Sequence, residues 1–309
     1  MNSNKLTFCC TAAVQDIVHE RLEKEGLEKI HLPLGVSPTE PHVPIFASND
    51  VKTKSRVVVI FGDTTEMLGV LAMRVANGHG GIDKGSLVSV VREIKGQRCS
   101  PDDTTSPGII IANPAELWWW PEGKRPLEIV RRGRAPMETA VHTQRLHDDR
   151  LNAIPANKDA ASHTEYMFKH VLPHLARKDV KIDVVAIGHA CDPLENFLGH
   201  QENWEEHAAC RLNALVLLGG YWRLGGDHGE GFKKFLETAR FSLQAWLPFR
   251  CAENCVNILP TTSAPELTLP TTHQSTLLSR PARETPSIRH SRHSAVPSTA
   301  LAPANRTLS

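Results

Sequence analysis

The segment Val184-Val185-Ala186-Ile187-Gly188-His189-Ala190-Cys191-Asp192 brings the chain's chemistry-bearing residue types closest together. A β-branched run enters a glycine turn, and Pro193 to Leu198 read as the next helix. Strand, sharp turn and helix make the setting of the elbow G-x-S-x-G, in which a strained turn exposes a serine hydroxyl for attack on an acyl carbon. Here Ala190 stands at the nucleophile position and Asp192 at the last glycine. Gly188, His189, Ala190, Cys191 and Asp192 therefore read as a degenerate elbow without a reactive atom at its tip. Cys191 lies one position on and points elsewhere, and a buried lone cysteine is usually inert.

Acyl transfer also needs oxyanion donors, a base and an acid that orients the base. Phe61, Gly62 and Asp63 occupy the place of an oxyanion loop after an earlier strand. Gly62 permits close backbone approach, but Asp63 puts negative charge where an oxyanion develops. This loop also reads as degenerate, with Asp63 or Thr64 capping the next helix. After Gly219-Gly220 the chain offers Asp227 and His228, and later histidines occur only at 273, 290 and 293, in a low-complexity segment. No catalytic residue is assigned.

Trp118-Trp119-Trp120 with Lys124 and Arg125 forms a candidate interaction loop. Adjacent tryptophans beside cations can stack nucleobases, but Trp is also enriched at protein interfaces. Interface or packing is the preferred reading, and direct RNA binding is not expected. His163, His170 and His174 share a helical stretch without the H-E-x-x-H pattern, so they read as partly exposed histidines rather than metal ligands. Gly78 to Gly85 lacks a phosphate-loop lysine in register. No metal and no cofactor is expected.

The elements that must position these residues are read from periodicity. Val57 to Phe61, Pro107 to Asn113, Ile182 to Ile187 and Leu212 to Leu218 are short apolar runs that suit strands buried on both faces. Helical spacing appears at Val14 to Leu22 with Gly26 as stop, at Met67 to Val75, at Gly85 to Ile94, at Ser162 to Leu175 with Ser162 and Glu165 as a capping box, and at Gly231 to Leu243. The stretch from Pro114 to Pro155 reads as a long irregular loop. Alternating strands and helices predict an α/β fold: a three-layer αβα arrangement with a mainly parallel sheet, incomplete and α/β-hydrolase-like, over residues 1–250.

The chain has 309 residues and a formal net charge of +1, which gives no broad field for nucleic acid. Its seven cysteines are odd in number and irregular in spacing, which fits reduced thiols in the cytoplasm or nucleus better than a disulfide framework. No apolar run approaches the roughly 20 residues that span a bilayer, so no membrane partner is expected. Residues 251–309 contain no aromatic side chain and are rich in Thr, Ser and Pro, which predicts a disordered tail.

Several strings resemble the fungal argonaute-binding-protein-two (Arb two) domain: Pro41 to Phe46, Arg56 to Gly62, Gly80 to Ser86, Leu117 to Arg125, Asn152 to Pro155 and Asp183 to Ile187. The resemblance spans roughly Val18 to Leu243. It implies an α/β-hydrolase-like fold and a role as a binding module in small-RNA silencing or histone deacetylase assemblies, with argonaute or deacetylase complexes as protein partners. It also implies a small, unreactive residue at the elbow, which Ala190 matches. Members of that family continue into further structured elements after Phe232 to Leu243. The tail found here instead leads to the expectation of a frame shift or retained intron in the gene. The alternative is a cryptic hydrolase of small esters or thioesters using Cys191 or Ser86.

Overall fold

Side chains that alternate in direction along an unbroken apolar strand must find cover on both faces of a sheet. In the computed structural model, which describes residues 3–128, 148–219, 228–238 and 240–243, β3 (Arg56–Phe61) does so. Val57, Val59 and Phe61 join one apolar cluster, and Val58 and Ile60 join another on the opposite face. Each such fully buried side chain contributes about 1.5–3 kcal/mol relative to an exposed one.

Flanking β3 are β1 (Leu27–Leu32), β2 (Val43–Ser48), β4 (Gly108–Ala112), β7 (Lys181–Ile187), β8 (Leu212–Leu218) and β9 (Arg240–Leu243), in the order β1-β2-β4-β3-β7-β8-β9. Pairing from β4 through β9 is parallel, while β2 runs antiparallel to both β1 and β4. A separate antiparallel hairpin is made by β5 (Trp118–Trp120) and β6 (Arg125–Leu127).

Helix Ser3–Lys24 covers the Val58 face through Val18 and Leu22, with helix Val88–Lys95 beside it through Val88, Val91 and Ile94. The other face is covered by Met167, Phe168, Val171 and Leu172, by Leu194, Phe197 and Leu198 of helix Cys191–Gly199, and by Phe232 of helix Glu230–Thr238. The result is the expected three-layer α/β arrangement with a mainly parallel, hydrolase-like sheet. Among the described residues, no helix is long and apolar enough to cross a membrane.

The local differences from the sequence expectation have identifiable causes. Residues 62–72 form turns rather than a helix, because Gly69 takes φ +80 against Val18 and Leu22. Only Met73–Ala76 is helical there. The cap of helix Ala160–Tyr166 is Asp159, which accepts from the Ser162 amide while the Ser162 hydroxyl receives the Asp159 amide. The same path then widens into a π-helical turn at Met167–Val171 before Leu172–Leu175. The expected helix to Leu243 ends at Thr238, and Arg240–Leu243 pairs with β8 as an added parallel strand. The tail expected over 251–309, residues 129–147 of the long loop, Gly220 and Asp227 lie outside the described residues.

At the amino ends of the central strands, Asp183 accepts from Arg56 Nε at 2.6 Å and from Asn213 Nδ2 at 2.7 Å. This ties β3, β7 and β8 together at one edge of the core.

Candidate functional site

In open α/β sheets, ligands bind outside the carboxyl ends of the strands, where the strand order reverses. That point here lies between β3 and β7, since the chain passes from β3 to β4 on one side and reaches β7 on the other. The loops meeting there are Phe61-Gly62-Asp63 and Gly188 to Asp192, so the two degenerate motifs are brought together.

Their geometry is not that of a nucleophile elbow. The left-handed residue is Gly188, at φ +58, directly after β7. Ala190, assigned above to the nucleophile position, has ordinary helical angles (φ −74, ψ −14) and is 1% exposed. A hydroxyl there faces the core, whereas an elbow serine is presented to solvent. Gly188 also has a steric role, since a Cβ on it would overlap Asp63 Oδ2. Gly188→Ala combines that overlap with left-handed backbone strain, which by itself costs about 1–2 kcal/mol. It is expected to lower the thermal midpoint by more than Gly62→Ala, whose site is open. Equal midpoints would contradict this.

Asp63 is pinned at the turn. Its Oδ1 accepts from the Thr65 amide and hydroxyl, both at 2.7 Å, and its Oδ2 accepts from the His189 amide at 3.3 Å. His189 Nδ1 lies 3.6 Å from the same carboxylate, with its ring largely in solvent. A fixed carboxylate therefore stands where acyl-transfer chemistry needs positive or donor groups. Asp192 is exposed on the first turn of the adjoining helix.

The substitute nucleophiles are structurally committed. Cys191 is buried, and its thiol is directed at the carbonyl of Ala186 at 3.5 Å. Ser86 is fully buried, donates to Ile82 O at 2.7 Å and accepts from the Val88 amide. His228 Nε2 lies 2.9 Å from Glu195 Oε1, and its Nδ1 faces Gly199, where a Cβ would overlap it. This pair docks the start of helix Glu230–Thr238 onto helix Cys191–Gly199. Ala190→Ser is expected to give no esterase turnover in a p-nitrophenyl ester assay, because position 190 is 1% exposed and the new hydroxyl is buried. Turnover above that of the unaltered chain would contradict this.

A family model for the Arb2 domain matches residues 2–242. The chain belongs to the Arb2 domain family. No curated protein matches it. Among solved structures it is similar to a histone deacetylase from Saccharomyces cerevisiae, at 13% identity over 76% of this chain and 79% of that one, with a TM-score of 0.43. A likeness at that level carries none of the functional argument.

In this Arb2 domain the tryptophans are mainly packing groups. Trp118 and Trp119 are buried, at 3% and 4% exposure, and the expected loop is the β5–β6 hairpin. The Trp119 ring lies 5.0 Å from His42, which lies 4.1 Å from His31, and the Trp119 carbonyl accepts from Asn152 Nδ2. Only Trp120 is partly accessible, with its ring laid over Gly123. Lys124 is exposed at the turn with φ +49, and Arg125 is half-buried. Two of the three rings thus cannot stack a nucleobase.

A polar network missing from the sequence reading lies behind the carboxyl end of β4. Glu116, 3% exposed, accepts from Gln15 Nε2 at 2.9 Å, from the Leu68 amide at 3.0 Å and from Asn113 Nδ2 at 3.0 Å. The Asn113 amide donates to His163 Nε2, and His163 Nδ1 reaches Asn157 Oδ1 at 2.8 Å. His163 is fully buried, contrary to the partly exposed role expected for it, while His170 and His174 are exposed. Accepting at Nε2 fixes His163 as the neutral Nδ1–H tautomer, and burial pushes its pKa down to about 3. His19, directed at Leu68 O, is also pushed down to about 3, first by burial and then by Lys29. Among the described residues, no group of three metal-ligating side chains converges.

Proposed function

We propose that this Arb2 domain is a non-catalytic, α/β-hydrolase-like protein-interaction module that serves small-RNA silencing or histone deacetylase assemblies in the cytoplasm, the nucleus or both. The observation that carries the reading is the remodelled carboxyl end between β3 and β7. The left-handed position is a glycine, Ala190 is buried, and Asp63 fills the space beside the turn. A site built for acyl transfer exposes a nucleophile and surrounds it with donors. Here the same loops are bonded to each other, which suits a rigid scaffold. Family membership supports the assignment to silencing or deacetylase complexes.

Affinity purification of the tagged full chain from fungal cells tests the reading. The expected result is co-purification of argonaute or deacetylase-complex subunits in stoichiometric amounts. Recovery of no partner, together with measurable esterase turnover by the purified chain, would overturn it.

A further inference from the structure

The opposite end of the sheet carries a surplus of positive charge that internal ion pairs do not consume. Residues 49–56, 97–106, 176–181 and 209–211 approach one another there. Lys181 pairs in register with Arg56, and its amide donates to Ser55 O. Arg56 Nη1 reaches the carbonyl of Arg98 at 3.2 Å, and the Ile182 amide donates to the carbonyl of Arg211. Asp103 bonds Ser55 and acts electrostatically on Arg177, which brings the 97–106 loop beside 176–181.

Three ion pairs form within this rim: Lys54 with Asp50, Arg56 with Asp183, and Arg177 with Asp179. Lys52, Arg98, Lys178 and Lys181 remain exposed, with no carboxylate within ion-pair distance among the described residues, and Arg211 is half-buried beside them. Against them stand Asp102 and Asp103. By contrast, the carboxyl-end loops 62–72 and 188–192 carry acidic residues and no Lys or Arg. A near-zero net charge for the whole chain is therefore compatible with a local cationic surplus at this rim.

We propose that this amino-end rim binds an acidic segment of a partner protein. Clustered exposed cations attract an acidic ligand and raise its rate of encounter. The rim favours a peptide over nucleic acid on two grounds. Its four segments contain no Phe, Tyr or Trp, so it offers no platform for stacked bases. Its cations are interspersed with Asp50, Asp102, Asp103 and Asp179, which oppose a continuous phosphate backbone but match a peptide of mixed polarity. The inference rests on the interaction-module reading, but its test uses no native partner, so the rim can fail while that reading stands.

The test measures binding of the full chain to a fluorescent peptide of alternating Glu and Ser, and to single-stranded RNA of equal charge, by anisotropy at low and physiological salt. The peptide is expected to bind, to weaken as salt rises, and to lose at least about tenfold in affinity with Arg98→Glu, Lys178→Glu and Lys181→Glu combined, roughly what removal of more than 1.4 kcal/mol produces. If that variant fails to fold, Lys52→Glu with Lys178→Glu carries the test, since neither side chain is bonded within the described residues. Absence of peptide binding, equal binding by the folded variant, or tighter binding of the RNA would overturn the proposal.

Discussion

Glu116→Ala is expected to lower the free energy of unfolding by about 3–5 kcal/mol, because it strands buried partners of a charged group. Three donors converge on this carboxylate, and each belongs to a different part of the fold: Gln15 of the first helix, the Leu68 amide of the loop after β3, and Asn113 at the end of β4. An ionised carboxylate only accepts, which is what three donors require. Loss of the carboxylate leaves the Gln15 and Leu68 donors buried without this acceptor, at about 1–3 kcal/mol each before relaxation, while Asn113 Nδ2 keeps its bond to the Pro44 carbonyl at 3.1 Å. Glu116→Gln should cost far less. Gln15 can turn its amide to present oxygen to the new NH2 group, while the oxygen facing Leu68 and Asn113 is retained. Asn113 has no such freedom, since its own oxygen already accepts from the Glu116 amide at 3.2 Å. Urea unfolding of both variants checks this, and equal losses for Ala and Gln would contradict it.

Mild acid is expected to destabilise the domain through two histidines. His19 and His163 are held neutral in the folded state, with pKa values of about 3 against 6.5 when exposed. Between those values the unfolded chain binds more protons, so stability falls as pH falls. The contribution is fully present above pH 6.5 and is lost progressively toward pH 3. Each histidine accounts for about 1.4 kcal/mol per pH unit in that window. At pH 5 the pair costs about 4 kcal/mol. The interval from pH 6.5 to 5 lies inside the window in which these histidines change their contribution. His163→Gln, which retains an acceptor for Asn113 and a donor for Asn157, should reduce the slope, the remainder coming from His19 and from His31 and His207, whose pKa values burial also lowers. A stability that is flat from pH 7 to 5 would contradict the assignment.

Both predictions depend on contacts that sequence reading does not reach. β3, β4, β7 and β8 were legible because a strand covered on both faces needs an uninterrupted apolar run. β1 and β2 were not, because Leu27-Glu-Lys-Ile-His-Leu32 is an edge strand with exposed charges and Pro44 interrupts the next. Met67, Leu68, Leu71 and Val75 have helical spacing, but the Leu68 amide is taken by Glu116 and the backbone turns at Gly69. The tryptophan run gave no alternation from which to assign a hairpin.

The candidate site shows the same limit. Its two loops were legible because each comes directly after a recognisable strand, and the resemblance in short strings pointed to the Arb2 family that the residue 2–242 match establishes. Their mutual bonding was not legible, since Asp63 and His189 are 126 residues apart in sequence. The Gln15–Glu116 contact spans 101 residues and carries no local signature. The left-handed conformation of Gly188 likewise goes with Asp63, which leaves room only for a glycine beside it.

On the scaffold reading, the described loops at the carboxyl end of the sheet, 62–72 and 188–192, hold no activated nucleophile. Incubation of the folded full chain with a broad fluorophosphonate probe for serine and an iodoacetamide-type probe for low-pKa cysteine tests it most directly. No fluorophosphonate labelling is expected, and cysteine labelling should be confined to sites other than Cys191. Labelling that disappears on Cys191→Ala or Ser86→Ala in an otherwise folded chain would contradict it.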